Sequence, residues 1–248
     1  MKGQKIVGTY RVKNEERFIE KSLKSVLDIC SEVVILDDNS TDKTVEICSS
    51  FDKVVDIQTV SDSTLNEVRD RNALLQMGLK RNPDFILSVD GDEIFMPNSA
   101  EILFEEIDIL YPKNNVFEFQ FLTCWDTIEQ IRFDGIFGNY WQKRLLRIKN
   151  QSLDLKFKNT SNPGNLHCGS IPKDADGFEN SIRSNVKIFH MASIDETLRK
   201  QKYDYYTKLD GDSVLTDGYK HMISGEGKFS GPDGIQLKKI PKNFTSIL

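Results

Sequence analysis

Phe85-Ile86-Leu87-Ser88-Val89-Asp90-Gly91-Asp92-Glu93 is the stretch on which the fold turns. Its first five residues are almost wholly apolar, and Pro83 breaks the chain just ahead of them, so 85–89 reads as a buried strand that empties into an acidic loop. Immediately upstream, 64–80 repeats Leu65, Val68, Leu75 and Leu79 at helical spacing, and Val54-Val55-Asp56-Ile57 is strand-like. The same alternation continues toward the N-terminus. A helix carries Val45 and Ile47, with Ser40 or Thr41 placed to cap it. Residues 32–36 form a strand too apolar for an exposed edge. A helix over 14–28 lines up Phe18, Ile19, Leu23, Val26 and Leu27, and 6–10 is the first strand. Short apolar strands separated by amphipathic helices are the pattern of βα repeats, which predicts an α/β protein with a mostly parallel central sheet and helices on both faces.

Downstream, a helix over 99–110 buries Ile102, Leu103, Ile107 and Leu110, and then the texture changes. Residues 116–124, 143–148 and 186–190 are strand candidates that complete the domain as a mixed sheet. Ser193-Ile194-Asp195-Glu196 reads as a capping box that opens a helix reaching Leu209. Beyond Asp210 the periodicity is lost. One domain over 1–210 is expected, with 1–110 as a ligand-binding half and 111–210 as a second half, and 211–248 as a tail or lid.

Composition narrows the partners. The net charge of −5 and the lack of a long basic run argue against nucleic acid. No window approaches the roughly 18 apolar residues a membrane span needs. Met1-Lys2-Gly3-Gln4-Lys5 leads into an apolar strand and not into a signal peptide. Cys30, Cys48, Cys124 and Cys168 are scattered with no CxxC pair, so they read as reduced thiols in a cytoplasmic protein, at most peripheral to a membrane-bound partner. The acceptor patterns at Asn39, Asn159 and Asn243 are read as coincidence in that setting.

The chemistry is in Asp90-Gly91-Asp92. Ligands of open α/β sheets gather at the C-terminal ends of strands, where this loop falls. Two carboxylates at i and i+2 with glycine between them converge on one hard cation, Mg²⁺ or Mn²⁺, whose coordination a diphosphate completes. Such an ion neutralises charge on a departing phosphate, an effect worth several kcal/mol. Acidic loops of this kind also occur simply as solvated turns.

Three further segments give the loop a context. Thr9-Tyr10-Arg11-Val12-Lys13-Asn14-Glu15-Glu16 follows the first strand, Asp38-Asn39-Ser40-Thr41-Asp42-Lys43-Thr44 follows the second, and Arg71-Asn72-Ala73 precedes the Asp-x-Asp. In this order and spacing, over 5–95, the chain resembles the family 2 glycosyltransferases of the GT-A fold, a Rossmann-like nucleotide-diphospho-sugar transferase fold. The later half resembles them only in patches. The resemblance implies a metal-dependent, inverting glycosyltransferase. It would move a hexosyl or deoxyhexosyl group from a nucleotide-diphosphate sugar, a UDP-sugar first, to a hydroxyl of a glycan or glycoconjugate acceptor. It places Thr9 and Arg11 beside the nucleotide, Asp38 on the base, Arg71 at the diphosphate, and Asp90 with Gly91 at the donor. Asp92 and His190 would hold Mn²⁺ or Mg²⁺.

Each residue has a plainer alternative. Asp38 can serve its own turn or a helix cap, Arg71 can be a surface charge with Arg69 as its competitor, and His190 can be structural. Relatives often carry a His-Glu pair after a strand, but Leu166-His167-Cys168 lacks the glutamate. The base that takes the acceptor proton is therefore sought first at Asp126, then at His167, with Asp134 remaining. Trp125 and Trp141 read as sugar-stacking surfaces or as core.

Three rival classes remain. A haloacid-dehalogenase-type phosphatase uses an Asp-x-Asp at the start of its domain, whereas this motif follows three βα units and has Ile94 at the fourth position after Asp90. A sugar nucleotidyltransferase wants a glycine-rich loop after the first strand, and 8–17 holds only Gly8. A non-catalytic carbohydrate-binding or scaffold protein on the same fold is favoured by the missing glutamate.

Overall fold

The computed structural model describes all residues except 1–2, 61, 63, 111–114, 150, 152–153, 163, 165, 211–218, 228, 242–243 and 245–248. Asn243 and residues 211–218, the start of the expected 211–248 tail, thus lie outside the described residues. Among the described residues ten strands and five α-helices follow in the order β1 (Ile6–Val12), α1 (Ile19–Val26), β2 (Glu32–Asp37), α2 (Thr44–Ser49), β3 (Val54–Thr59), α3 (Glu67–Leu79), β4 (Phe85–Asp90), β5 (Glu93–Phe95) and α4 (Ser99–Leu110). They continue with β6 (Val116–Trp125), β7 (Gln130–Arg132), β8 (Trp141–Arg147), β9 (Ile182–Ser193), α5 (Glu196–Asp210) and β10 (Leu237–Lys239).

The sheet runs β10-β7-β6-β8-β4-β1-β2-β3, with β9 alongside β6 and β5 against β9. Strands β3, β2, β1 and β4 are parallel, while β8 is antiparallel to both β4 and β6. The chain leaves β1 in one direction for β2 and β3, then returns to place β4 on the other flank of β1. Right-handed crossovers put helices on opposite faces when the direction of winding reverses. Accordingly Ile19, Leu23 and Val26 of α1 pack with Ile6, Tyr10, Val12, Leu87 and Val89 on one face. Leu74 and Met77 of α3 pack with Val7, Val34 and Leu36 on the other. Alternate residues of β4 therefore part ways: Phe85, Leu87 and Val89 face α1, while Ile86 packs with Val68 and Leu75 of α3.

Element ends depart from the periodicity for local reasons. The helix expected over 14–28 begins only at Ile19 because Asn14 has φ of 54°. The N–H groups of Asn14, Glu15 and Glu16 donate instead to Ser40 Oγ, Thr44 Oγ1 and Asp42 Oδ2. That engagement also corrects the cap of α2. Ser40 and Thr41 are occupied with the β1–α1 loop, and Asp42 Oδ1 accepts from Thr44 N at 2.9 Å in their place. At α5, Ser193 ends β9, and Asp195 Oδ1 caps by accepting from Leu198 N. Within 219–241, β10 pairs antiparallel with β7, and buried Arg132 and Asp134 hold this segment through His221, Ser230, Gly231 and Gln236.

Candidate functional site

The reversal of winding at β1 and β4 opens a crevice at their C-terminal ends, the position where open α/β sheets bind ligands. Arg11 of β1 pairs in register with Asp90 of β4. Both lie on the α3 face, and α3 adds Arg71, which donates to Ser88 Oγ at 3.1 Å and Asp90 Oδ1 at 3.0 Å. Arg144 of β8 reaches the other oxygen, Asp90 Oδ2, at 3.0 Å, and also bonds Glu93 and Ser170. Burial works to raise the pKa of Asp90, but two guanidiniums override it and hold the carboxyl far below the usual range. Among the described residues the buried Nε–H groups of Arg71 and Arg144 have no hydrogen-bond partner, Arg71 Nε standing 3.6 Å from Glu67 Oε1. Two cations with spare donors at a strand end suit an anionic ligand.

A second cluster lies beside the first. Arg11 donates to Asp38 Oδ2 and Asp70 Oδ2, both at 3.0 Å from Nη2, and Lys13 reaches Asp38 at 3.3 Å. The turn after β2 is made by Asp37, whose carboxylate accepts from Ser40 N, so Asp38 is spared that duty. Arg71 is not a surface charge, being 7% exposed. Arg69 instead serves Asp70, Asp62 and Thr64. Thr9 is buried under α3, its hydroxyl donating to Leu87 O.

Asp92 is positioned by β9. Glu93 pairs with His190 in the β5–β9 ladder, and Met191 N donates to Asp92 O at 2.9 Å. This brings His190 Nε2 to 3.7 Å from Asp92 Oδ2. Burial depresses the imidazole pKa against the pull of Asp92, which favours the neutral, ligating form. Among the described residues no cluster of three or more His, Cys, Asp or Glu is placed to hold a metal. Asp92 and His190 are the pair that could contribute to the shell of a divalent ion. That fits Mg²⁺ or Mn²⁺, which commonly take one or two protein ligands and complete the shell with phosphate and water.

Two residues not singled out by the sequence enter here. Lys202 of α5 places Nζ 3.0 Å from Asp92 Oδ2. Glu15 lies over Gly91, where an added Cβ would come within 2.7 Å of Glu15 Cγ. Burial, with the neighbouring Asp92 and Asp90 charges, pushes Glu15 up to about 9 despite Lys202. Lys202 lies more than a hundred residues from Asp92 in sequence, and no local pattern announces it.

The two candidate bases have different partners. Asp126 follows β6 with φ of 61°, and its carboxylate, 47% exposed, accepts from Arg199 Nη1 at 2.6 Å. His167 donates its backbone N–H to Glu67, which neighbours Arg71 at 3.6 Å, while His167 Nε2 lies 3.2 Å from Tyr219 Oη. Asp134 is spent elsewhere. Burial would raise it, but the bidentate Arg132 contact and the N–H groups of Gln236 and Gly231 hold it at about 2. Trp125 is core: Arg132 and Arg199 stack on its ring at 4.6 and 4.4 Å, and it is 2% exposed. Trp141 is half-buried under Arg183. All four cysteines are free and buried, and no helix among the described residues is long and apolar enough to cross a membrane.

A sheet that reverses its winding at a crevice ringed by arginines and carboxylates defines an α/β protein built for an anionic ligand. The glycosyl transferase family 2 model matches residues 11–163, more than half of the chain, and the chain belongs to that family. An uncharacterized glycosyltransferase of Rickettsia bellii (strain RML369-C) is 26% identical over 227 residues, covering 88% of this chain and 70% of that protein. One from Rickettsia typhi (strain ATCC VR-144 / Wilmington) is 22% identical over 213 residues, covering 84% and 67%. The crystal structure of S. aureus TarS matches with a TM-score of 0.51 at 16% identity, over 87% of this chain and 42% of the TarS chain. That likeness is one of fold, GT-A, and this chain spans less than half of that TarS chain.

Proposed function

We propose that the protein transfers a hexosyl or deoxyhexosyl group, with inversion, from a nucleotide-diphosphate sugar to a hydroxyl of a glycan or glycoconjugate. A UDP-sugar is the first choice of donor, on the strength of the family. The observation that carries this reading is the division of labour in Asp90-Gly91-Asp92. Asp90 is locked between Arg71 and Arg144, while Asp92 is presented to His190. Arg11 and Asp38 would meet the nucleoside, Arg71 and Arg144 the diphosphate, and Asp92 with His190 would hold Mn²⁺ or Mg²⁺. When bound, such an ion supplies positive charge to the leaving diphosphate. Asp126 is our first choice of general base and His167 the second. A phosphatase mechanism needs a free carboxylate at Asp90, and both of its oxygens are engaged.

A thermal-shift panel of UDP-, GDP- and dTDP-sugars, each with and without Mn²⁺, tests the donor. A ligand at a hundred times its dissociation constant stabilises the fold by about 2.7 kcal/mol, which raises the midpoint visibly. No shift from any of them would overturn the donor reading.

A further inference from the structure

Asp92 already has a cation in contact. Lys202 Nζ is 3.0 Å from Asp92 Oδ2, the same oxygen that faces His190 Nε2 at 3.7 Å. This placement is built by several anchors. On α5, Arg199 stands one turn before Lys202 and bonds Asp126 and the carbonyls of Ser193 and Met222. Asp195 caps the helix and pairs with Arg17 of the β1–α1 loop. Lys202, Asp92 and Glu15 share the wall of an open hollow of about 420 Å³, which Tyr205 and Tyr206 border on the α5 side. Helix α5 also lies beyond the segment 11–163 that matches the family model. An ammonium and a divalent ion cannot share one carboxylate oxygen at these distances without strong mutual repulsion.

We propose that Lys202 is a positioning and charge-neutralising residue for the donor diphosphate, its ammonium set against the Asp92 oxygen on which a divalent ion would draw. The proposal rests on the donor reading above and goes beyond it. Lys202 allows a nucleoside diphosphate to bind without a metal, and it weakens metal binding when no nucleotide is present. Both effects are read by titration calorimetry with UDP, GDP and dTDP in EDTA and in Mn²⁺, and by electron paramagnetic resonance of Mn²⁺ added to the nucleotide-free protein. In wild type, one of these diphosphates binds in EDTA. Lys202→Met weakens that binding by about tenfold or more, the change that ~1.4 kcal/mol makes in a dissociation constant, and tightens nucleotide-free Mn²⁺ binding by a similar factor. Lys202→Arg, which keeps the charge, retains nucleotide binding in EDTA. Thermal unfolding of both variants checks that the fold is intact, and a misfolded Lys202→Met hands the decision to Lys202→Gln. Unchanged nucleotide affinity in EDTA, or unchanged Mn²⁺ affinity, in a folded variant overturns the role of Lys202 and leaves the donor reading standing. Failure of all three diphosphates to bind wild type in either condition removes the donor reading, and this proposal with it.

Discussion

At the scale of single residues the site separates two carboxylates by their partners. Asp90 has both oxygens engaged by guanidiniums, whereas Asp92 faces an imidazole and a single ammonium. On the proposed reading, an ion held at Asp92 would act on charge that grows as the diphosphate leaves, so its loss would appear in turnover more than in substrate binding. Asp92→Asn is expected to lower kcat by about a hundredfold or more, measured as UDP release, while the chain remains folded by circular dichroism. Asp126→Asn tests the base. Removing a general base costs about 10² to 10⁴ in rate, and donor affinity measured by calorimetry should stay within about twofold, because an Asn can still accept from Arg199 and Asp126 does not bond Arg71 or Arg144. Retention of full turnover in Asp126→Asn, with loss in His167→Ala, would move the role to His167.

At the scale of elements, the close approach of α3 to β1 fixes Arg71 over Ser88. Gly78 permits that approach: a Cβ there would lie 3.0 Å from Thr9 Cγ2 and 3.2 Å from Ile86 Cδ1. Replacing glycine within a helix gains about 1 kcal/mol of intrinsic propensity, but overpacking a buried contact costs about 1–3 kcal/mol. Gly78→Leu is therefore expected to lower the urea midpoint, and to weaken donor binding by displacing Arg71. The parallel half of this architecture was legible because Val33-Val34-Ile35-Leu36 and Phe85-Ile86-Leu87 are too apolar to be anything but buried, and a strand's burial is written in its own residues. Caps were less legible because several hydroxyls compete. Ser40 and Thr41 look like capping residues, yet Ser40 accepts from Asn14 N–H and Thr41 donates to Asn14 Oδ1, in a loop that only the folded chain brings near. The site divides in the same way. Asp38, Asp90 and Asp92 stand at strand ends that the pattern locates. Arg144 and Lys202 reach the crevice from β8 and α5 through tertiary packing alone, while Glu15 lies in the segment after β1 without its place over Gly91 being written there.

At the scale of the whole molecule, a buried ion pair reinforces the β7–β10 ladder in tying the second half to its C-terminal segment. Arg132 and Asp134 form two hydrogen bonds of 2.7 Å, and their remaining groups hold His221 O, Ser230 Oγ, Gly231 N and Gln236 N. Breaking a buried pair by removing one partner typically costs about 3–5 kcal/mol, since the other charge is left unpaired. Asp134→Asn should therefore be less stable than wild type by about that amount near neutral pH. The pH dependence has a definite sign. Asp134 is held at about 2 in the folded protein, below the ordinary value of 3.8. A carboxyl with a depressed folded pKa contributes stability that is fully present above its unfolded value and is lost as pH falls through the folded one. The stability gap between wild type and Asp134→Asn, read as the difference in urea midpoints, should be constant from pH 7 to about 4 and narrow between about 4 and 2. A gap that stays constant through that acid window would mean that Asp134 titrates no differently in the folded and unfolded chains. The Arg132 pair would then add nothing to the β7–β10 ladder in holding the C-terminal segment.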